Sequence, residues 1–300
     1  EIPANLWVFP RGMQREGRVG PNSVNWISRY GSIVASSFDM STADGMNEKG
    51  LVANLLWLAE AGYPPYDGSQ KGLTVAAWAQ YVLDNFATVA EAVEALSKEE
   101  FVVVSGPMPG LGREATVHMS LSDAEGNNAI LEYIHGKLVV HHDRTYLVMT
   151  NSPVYEQQLA INKYWQGIGG SVMLPGTSRA ADRFVRASYY IQALPQIEDP
   201  VEATAAVLSV IRNCSVPYGI PTKGQPNIST TRWRSVADQK HLIYYFETLL
   251  SPNTIRADLN LFDLSEGAPV RKLDLAEGQV YNGETSSCFL NAVPFVFQGL

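Results

Sequence analysis

The segment 51–58 constrains the fold more than any other part of the chain. Its sequence, LVANLLWL, is apolar at every position except Asn54. Because successive side chains of a strand point to opposite faces, a strand of this composition must be covered on both faces. The preceding residues, Asp44 to Gly50, are rich in turn formers and are interpreted as the connection between two strands. The segment therefore predicts an inner strand of a sheet that lies between two other layers.

The order of the remaining elements extends this argument to the whole chain. Strands are predicted at 5–9, 26–38, 51–58, 116–122, 129–134, 138–142, 146–149, 230–237, 241–249, 254–262 and 270–275. Helices are predicted at 73–86, at 89–100 after the cap Thr88, from Ser152-Pro153 to about 166, at 178–194 and at 200–214, the last opened by Asp199-Pro200. Helices that occur in blocks between groups of strands indicate an α+β chain. Two stacked sheets with helices outside each would bury segment 51–58, so we predict a four-layer αββα sandwich formed by one domain over residues 1–300.

Composition excludes several functional classes. Asp and Glu (30) outnumber Lys and Arg (22), so the chain carries a net charge of −8 and is poorly suited to bind nucleic acid. No segment approaches the ~20 apolar residues of a membrane-spanning helix. Two cysteines are too few for a disulfide framework, a cysteine-rich zinc site or an iron–sulfur cluster, although a single Cys214–Cys288 disulfide stays open. The chain opens EIPANLWVFPRG, without Met or signal-peptide features, so we expect a processed or missing segment before it.

Familiar catalytic motifs do not identify a catalyst in this sequence. G-x-S-x-G, H-E-x-x-H, the P-loop and G-x-G-x-x-G are all absent. The pair His141-His142 before Asp143 suggests a metal site, but neighbouring strand residues point to opposite faces. The pair is therefore interpreted as a strand end before a turn, and no metal or other cofactor is implied.

Five segments stand out in chain order: DGMNEKGL at 44–51, LVMTNSP at 147–153, LPGT at 174–177 with ADRFVR at 181–186, SVPYG at 215–219, and TRW at 231–233. Together they resemble one family, the choloylglycine hydrolases, which includes penicillin V acylases and conjugated bile acid hydrolases. Each motif alone is modestly specific, whereas all five in register cover essentially the whole chain. The resemblance implies the αββα sandwich of the N-terminal-nucleophile hydrolases.

The resemblance also implies a reaction, the cleavage of a linear amide bond in an acylated small molecule. The family's nucleophile is a cysteine at the mature N-terminus, and its own α-amino group serves as the base. By the resemblance, Glu1 corresponds to a position beyond that cysteine, so we expect the native protein to contain a preceding segment that supplies it. The alternative is a relative that begins at Glu1 and binds acyl amides without cleaving them.

Two site residues are carried over from the family by their motifs. Asn151 matches the asparagine whose side-chain amide binds the oxyanion, and removal of such a donor raises the barrier by ~3–4 kcal/mol. From the residues alone, Asn151 also fits an Asx turn before Ser152-Pro153. Arg183 matches the active-site arginine, where a guanidinium favours a thiolate. From the residues alone it also fits an arginine paired with Asp182, and Arg186 one turn later is the other candidate.

Trp57 bears on the substrate. By the resemblance, penicillin V acylases carry an aromatic residue here and bile acid hydrolases usually carry Asn, and this position contributes a backbone N–H to the oxyanion hole and a side chain to the pocket. An indole would stack on an aromatic acyl group, and this interpretation is favoured over the alternative of a core tryptophan in an apolar strand. We therefore favour a penicillin V acylase-like enzyme, with bile salts and acyl-homoserine lactones as alternatives. Loops 39–43 and 105–113 are expected to select the substrate.

Further expectations rest on the resemblance. Family members assemble as homotetramers, and the Gram-negative branch is usually exported to the periplasm. Cys214 and Cys288 are expected to be inert thiols, because neither has an activating neighbour in the sequence.

Overall fold

Two β-sheets stacked face to face form the centre of the protein. The computed structural model describes residues 3–108, 113–169, 171–218, 230–251, 253–276 and 278–300. Its strands are β1 (Leu6–Phe9), β2 (Gln14–Glu16), β3 (Asn25–Ile27), β4 (Ser32–Ser37), β5 (Ser41–Asn47), β6 (Val52–Trp57), β7 (Gly72–Thr74), β8 (Val102–Val104), β9 (Val117–Ser122), β10 (Asn128–Ile134), β11 (Lys137–His142), β12 (Trp233–Asp238), β13 (Ile243–Thr248), β14 (Ile255–Asp258), β15 (Arg271–Leu273), β16 (Gly283–Glu284) and β17 (Leu290–Asn291). Its α-helices are α1 (Val75–Asn85), α2 (Val89–Leu96), α3 (Tyr155–Ile168), α4 (Ala180–Ala193) and α5 (Pro200–Asn213).

The larger sheet runs β11-β10-β9-β6-β5-β4-β1-β15-β17, and the smaller runs β12-β13-β14-β16. One apolar cluster, which includes Trp78 and Leu83, fills the space between the larger sheet and α1 and α2. A second, which includes Met46 and Phe246, fills the space between the two sheets. On the side of the larger sheet opposite α1 and α2, α5 packs against β12 of the smaller sheet, while α3 and α4 pack directly on Ile130 of β10. This arrangement confirms the predicted αββα sandwich.

Strand β6 lies where segment 51–58 predicted it, between β5 and β9. Ala53 belongs to the cluster under α1, whereas Val52 belongs to the cluster between the sheets. Both faces are therefore covered at the start of the strand, as its apolar sequence requires. Towards its end the strand is less covered, and Leu56 is 37% exposed.

The interpretation of residues 44–50 as a turn is wrong in its first half, because 44–47 belong to β5. Gly45 serves close strand packing, since a Cβ there would lie 2.5 Å from the carbonyl oxygen of Ile33. The turn itself is short, and Asn47 Oδ1 holds it by accepting the backbone N–H groups of Lys49 and Leu51.

Asp44 links the two sheets. It is buried, and its carboxylate accepts hydrogen bonds from Trp233 Nε1 at 2.9 Å and from the hydroxyl of Tyr244. Burial raises the pKa of Asp44 to about 6.

Three other sequence predictions need correction. Residues 26–38 form two strands rather than one, β3 and β4, and residues 146–149 form no strand. The Ser152-Pro153 peptide is cis and precedes α3, which begins at Tyr155 without a side-chain cap. The hydroxyl of Ser152 instead accepts the N–H of Ala59 at 3.1 Å, so it is committed to the end of β6.

Two predicted helix caps are confirmed. Thr88 caps α2 and Asp199 caps α5. Cys214 and Cys288 are both free thiols, so the possible disulfide does not form. Parts of loop 105–113 and the last residue of motif 215–219 lie outside the described residues. Within the described ranges, no helix is both long and apolar enough to cross a bilayer.

Candidate active site

The three residues predicted for the site meet at the end of β6. Trp57 is the last residue of β6, Asn151 lies in the segment before α3, and Arg183 lies in the first turn of α4. Asn151 Nδ2 donates to the carbonyl oxygen of Trp57 at 2.8 Å. Asn151 Oδ1 accepts from Arg183 Nη2 at 2.7 Å. One side-chain amide therefore connects a strand of the larger sheet to the outer helices.

These two partners fix the orientation of the Asn151 amide. A guanidinium only donates and a carbonyl oxygen only accepts, so Oδ1 must face Arg183 and Nδ2 must face Trp57. An amide nitrogen carries two hydrogens, and the carbonyl of Trp57 takes one of them. The other has no acceptor among the described residues, so it is a neutral donor held in one direction. Such a donor suits the stabilisation of developing negative charge.

Arg183 is the inward arginine of the pair that the sequence left open. Its Nε donates to the carbonyl of Ser178 at 3.1 Å, and burial lowers its guanidinium pKa. Arg186 instead donates to the carbonyl oxygens of Pro175 and Thr177 at 2.7 and 2.9 Å. The two arginines therefore have different tasks, since Arg183 anchors the amide of Asn151 and Arg186 anchors the segment before α4.

The indole of Trp57 is half-buried and has a guanidinium on one face. Arg113 Cζ lies 4.0 Å from the ring centroid, which is a close cation–π contact. The segment containing Arg113 was expected to help select the substrate, but nothing in the sequence singled out this residue. A lone arginine in a loop gives no sequence signal for the ring on which it stacks.

A buried polar cluster behind Asn151 was not predicted from the sequence. Thr150 and Gln158 are buried, and the hydroxyl of Thr150 contacts Gln158 Oε1 at 2.7 Å. Gln158 Nε2 donates to the carbonyl oxygens of Asn151 and Pro153. The backbone on both sides of the candidate oxyanion donor is thus fixed by buried side chains.

Cys214 lies near this site but is not an activated thiol. Its Sγ is 3.6 Å from the carbonyl oxygen of Arg183. Burial raises the pKa of the thiol despite the nearby arginines, so it stays protonated at neutral pH. The described residues contain no group of three or more His, Cys, Asp or Glu side chains able to hold a metal ion.

Comparison with known proteins extends this picture. The sequence model of the protein family described as linear amide C–N hydrolases, choloylglycine hydrolase family, matches residues 1–278 of this chain. The chain belongs to the choloylglycine hydrolase family. A penicillin V acylase of Pectobacterium atrosepticum is 51% identical, in an alignment that covers 100% of this chain and 86% of that protein. The resemblance read from the five sequence segments is thereby confirmed.

Solved structures of the choloylglycine hydrolase family agree with the fold. A penicillin V acylase from Agrobacterium tumefaciens superposes with a TM-score of 0.93 at 58% identity, covering 99% of this chain and 92% of that chain. A variant of the conjugated bile acid hydrolase from Clostridium perfringens superposes with a TM-score of 0.76 at 22% identity, covering 93% and 92%. The second comparison supports the fold alone. Membership in this family of linear amide hydrolases identifies the chain as an amidohydrolase.

Proposed function

We propose that this amidohydrolase removes the phenoxyacetyl group of penicillin V by hydrolysing its side-chain amide. Similarity to two penicillin V acylases over essentially the whole chain supports the substrate class. The observation that carries the mechanism is the Asn151 amide, which Arg183 and Trp57 hold with one N–H left to donate.

The proposed reaction uses a nucleophile outside the 300 residues. As the resemblance implies, an N-terminal cysteine thiolate adds to the amide carbonyl carbon, and the carbonyl oxygen becomes an oxyanion. Asn151 then donates to that oxyanion, and the positive charge of Arg183 on Oδ1 polarises the amide and strengthens its N–H as a donor. Collapse expels the amine, which takes its proton from the α-ammonium group, and water cleaves the resulting thioester.

Trp57 supports an aromatic acyl group as the group that is removed. Arg113 lies against the indole, and an indole at this position would stack on a phenoxy ring. Such aromatic contacts contribute about 0.5–1.5 kcal/mol. We expect Trp57→Asn to raise the KM for penicillin V about two- to tenfold, and Trp57→Phe to raise it less because a ring is kept.

The test is hydrolysis of penicillin V by the full-length protein, followed as release of the free amine of the penam nucleus. Asn151→Ala should lower kcat by about 100- to 1,000-fold with little change in KM, because the donor acts on the transition state. Glycocholate and an acyl-homoserine lactone serve as competing substrates. Faster turnover of either one than of penicillin V would reject the proposed substrate. Binding of penicillin V without turnover of any of the three would favour the inactive relative.

We also propose that the protein is a homotetramer and is exported to the periplasm, both from the resemblance. Apolar side chains exposed on α3 and between α3 and α4, including Tyr164, Ile168, Val172 and Met173, support self-association. Light scattering after size exclusion should give about four times the mass of one mature chain. Fractionation of the source cells should place the activity in the osmotic-shock fluid, and a monomer mass or a cytoplasmic activity would reject the respective proposal.

A further inference from the structure

His118 is an entirely buried histidine with acceptors on both ring nitrogens. Its side chain, on β9, is 0% exposed, and that of Glu132 on β10 is 1% exposed. His118 Nδ1 lies 2.9 Å from Glu132 Oε1, and Nε2 lies 2.6 Å from the carbonyl oxygen of Thr150. A carbonyl oxygen only accepts, so Nε2 carries a hydrogen that points to Thr150.

Glu132 is held as a carboxylate. Both of its oxygens accept the backbone N–H of Tyr155 at 3.1 Å, and His141 Nε2 lies 3.6 Å from Oε2. Hydrogen bonds to the ionised form favour it over the neutral acid. A carboxylate on Nδ1 and a carbonyl on Nε2 together require the imidazolium form of His118, because both ring nitrogens must then donate.

This ion pair is poorly explained by stability alone. Removing two charges from water costs about as much as their attraction returns, and apolar residues of similar volume would often stabilise a core as well. The pair nevertheless sits inside the layer between the larger sheet and the outer helices. A role in positioning a neighbouring group explains the pair better than stability does.

The His118–Glu132 pair holds the backbone of Thr150, the residue that precedes the candidate oxyanion donor Asn151. His118 binds the carbonyl of Thr150, whose peptide bond leads directly into Asn151. The following residues are held as well, since Gln158 Nε2 binds the carbonyl oxygens of Asn151 and Pro153. His118 is the charged member of this set, so its hydrogen bond to the backbone is about twice as strong as a neutral one.

We propose that His118, oriented by Glu132, is a positioning residue that holds the 150–151 peptide so that the Asn151 amide points at the oxyanion. This inference rests on the proposed function of Asn151 and goes beyond it by naming a residue that never contacts the substrate. A shift of an oxyanion donor by a fraction of an ångström weakens it in the transition state, whereas substrate binding is little affected.

A double-mutant cycle on the full-length enzyme tests this. His118→Asn should lower kcat for penicillin V about tenfold with KM unchanged within twofold. In the Asn151→Ala background, the same substitution should lower kcat less than twofold, because the donor that it positions is gone. His142, which follows His141 in the sequence and is exposed, provides the matched control. The substitution His142→Asn should leave kcat unchanged in both backgrounds.

A second variant keeps the test valid if His118→Asn fails to fold. In Glu132→Gln, the new amide donates to Nδ1 and still accepts from Tyr155, so a neutral His118 keeps its bond to Thr150. Its loss in kcat should be smaller than that of His118→Asn and should also disappear in the Asn151→Ala background. Equal losses in both backgrounds would overturn the inference and leave the proposed function intact. An Asn151→Ala enzyme with unchanged kcat would instead overturn the proposed role of Asn151, and the inference with it.

Discussion

The Glu132 carboxylate makes the stability of the protein depend on pH. Burial by itself raises the pKa of Glu132, but hydrogen bonds from His118, His141 and the N–H of Tyr155 outweigh it and lower the pKa from 4.5 to about 2 in the folded protein. A depressed pKa contributes stability above the unfolded value of 4.5, and this contribution is lost as the pH falls toward 2. The full difference corresponds to about 3 kcal/mol, of which about 2 kcal/mol is lost between pH 6 and pH 3.

The assay follows the 13C chemical shift of the Glu132 side-chain carboxyl in the folded wild type from pH 6 to pH 3, and the spectrum of Glu132→Gln assigns the signal. Glu132 should stay ionised over this range, because its pKa of about 2 lies below it. Glu94→Gln is the matched control, since the Glu94 side chain is 79% exposed beside Lys98 and its replacement should leave the Glu132 signal unchanged. A Glu132 carboxyl that takes up its proton above pH 4 in the folded protein would refute an ionised Glu132.

Three further predictions concern the amide anchor, the sheet interface and a helix cap. Arg183→Gln should lower kcat for penicillin V about 10- to 100-fold, because it removes the charge on Asn151 Oδ1; Arg186→Gln is the control, and equal losses would contradict the separate tasks of the two arginines. Asp44 has its pKa raised to about 6 from 3.8, so its contribution favours folding at low pH and is lost as pH rises through 6; relative to Asp44→Asn, the wild type should lose about 2 kcal/mol of unfolding free energy between pH 4.5 and 8, and parallel urea titrations of the two proteins would reject this. Thr88→Ala should cost about 1 kcal/mol, since the Thr88 hydroxyl accepts the N–H of Glu91 at 3.2 Å; Ser97→Ala, at the other end of α2, should cost less in the same unfolding assay.

Local sequence signals were sufficient for the elements that are defined by periodicity and capping. The apolar run at 51–58 identified β6, and the caps Thr88 and Asp199 marked the starts of α2 and α5. These signals lie within a few residues of the structure that they predict, so they survive without knowledge of the fold.

The same reasoning failed where a distant partner decides. Ser152-Pro153 has the composition of a helix start, yet the hydroxyl of Ser152 is bound to Ala59, 93 residues away in the chain. Gly45 is a residue type that is common in turns, yet it lies in β5, because its missing Cβ lets the backbone of Ile33 approach. In both cases, the residue type was read correctly as special, and the reason was a contact that no local window contains.

The sequence by itself determined the αββα class, the family and the identity of Asn151, Arg183 and Trp57 as site candidates. Only the tertiary structure decided that the side-chain amide of Asn151 forms hydrogen bonds with both Trp57 and Arg183. It alone also brought Arg113 onto the indole and placed the His118–Glu132 pair behind Thr150. The physical reason is that hydrophobic periodicity is written along the chain, whereas the direction of a hydrogen-bond donor depends on partners that only folding brings within 3 Å.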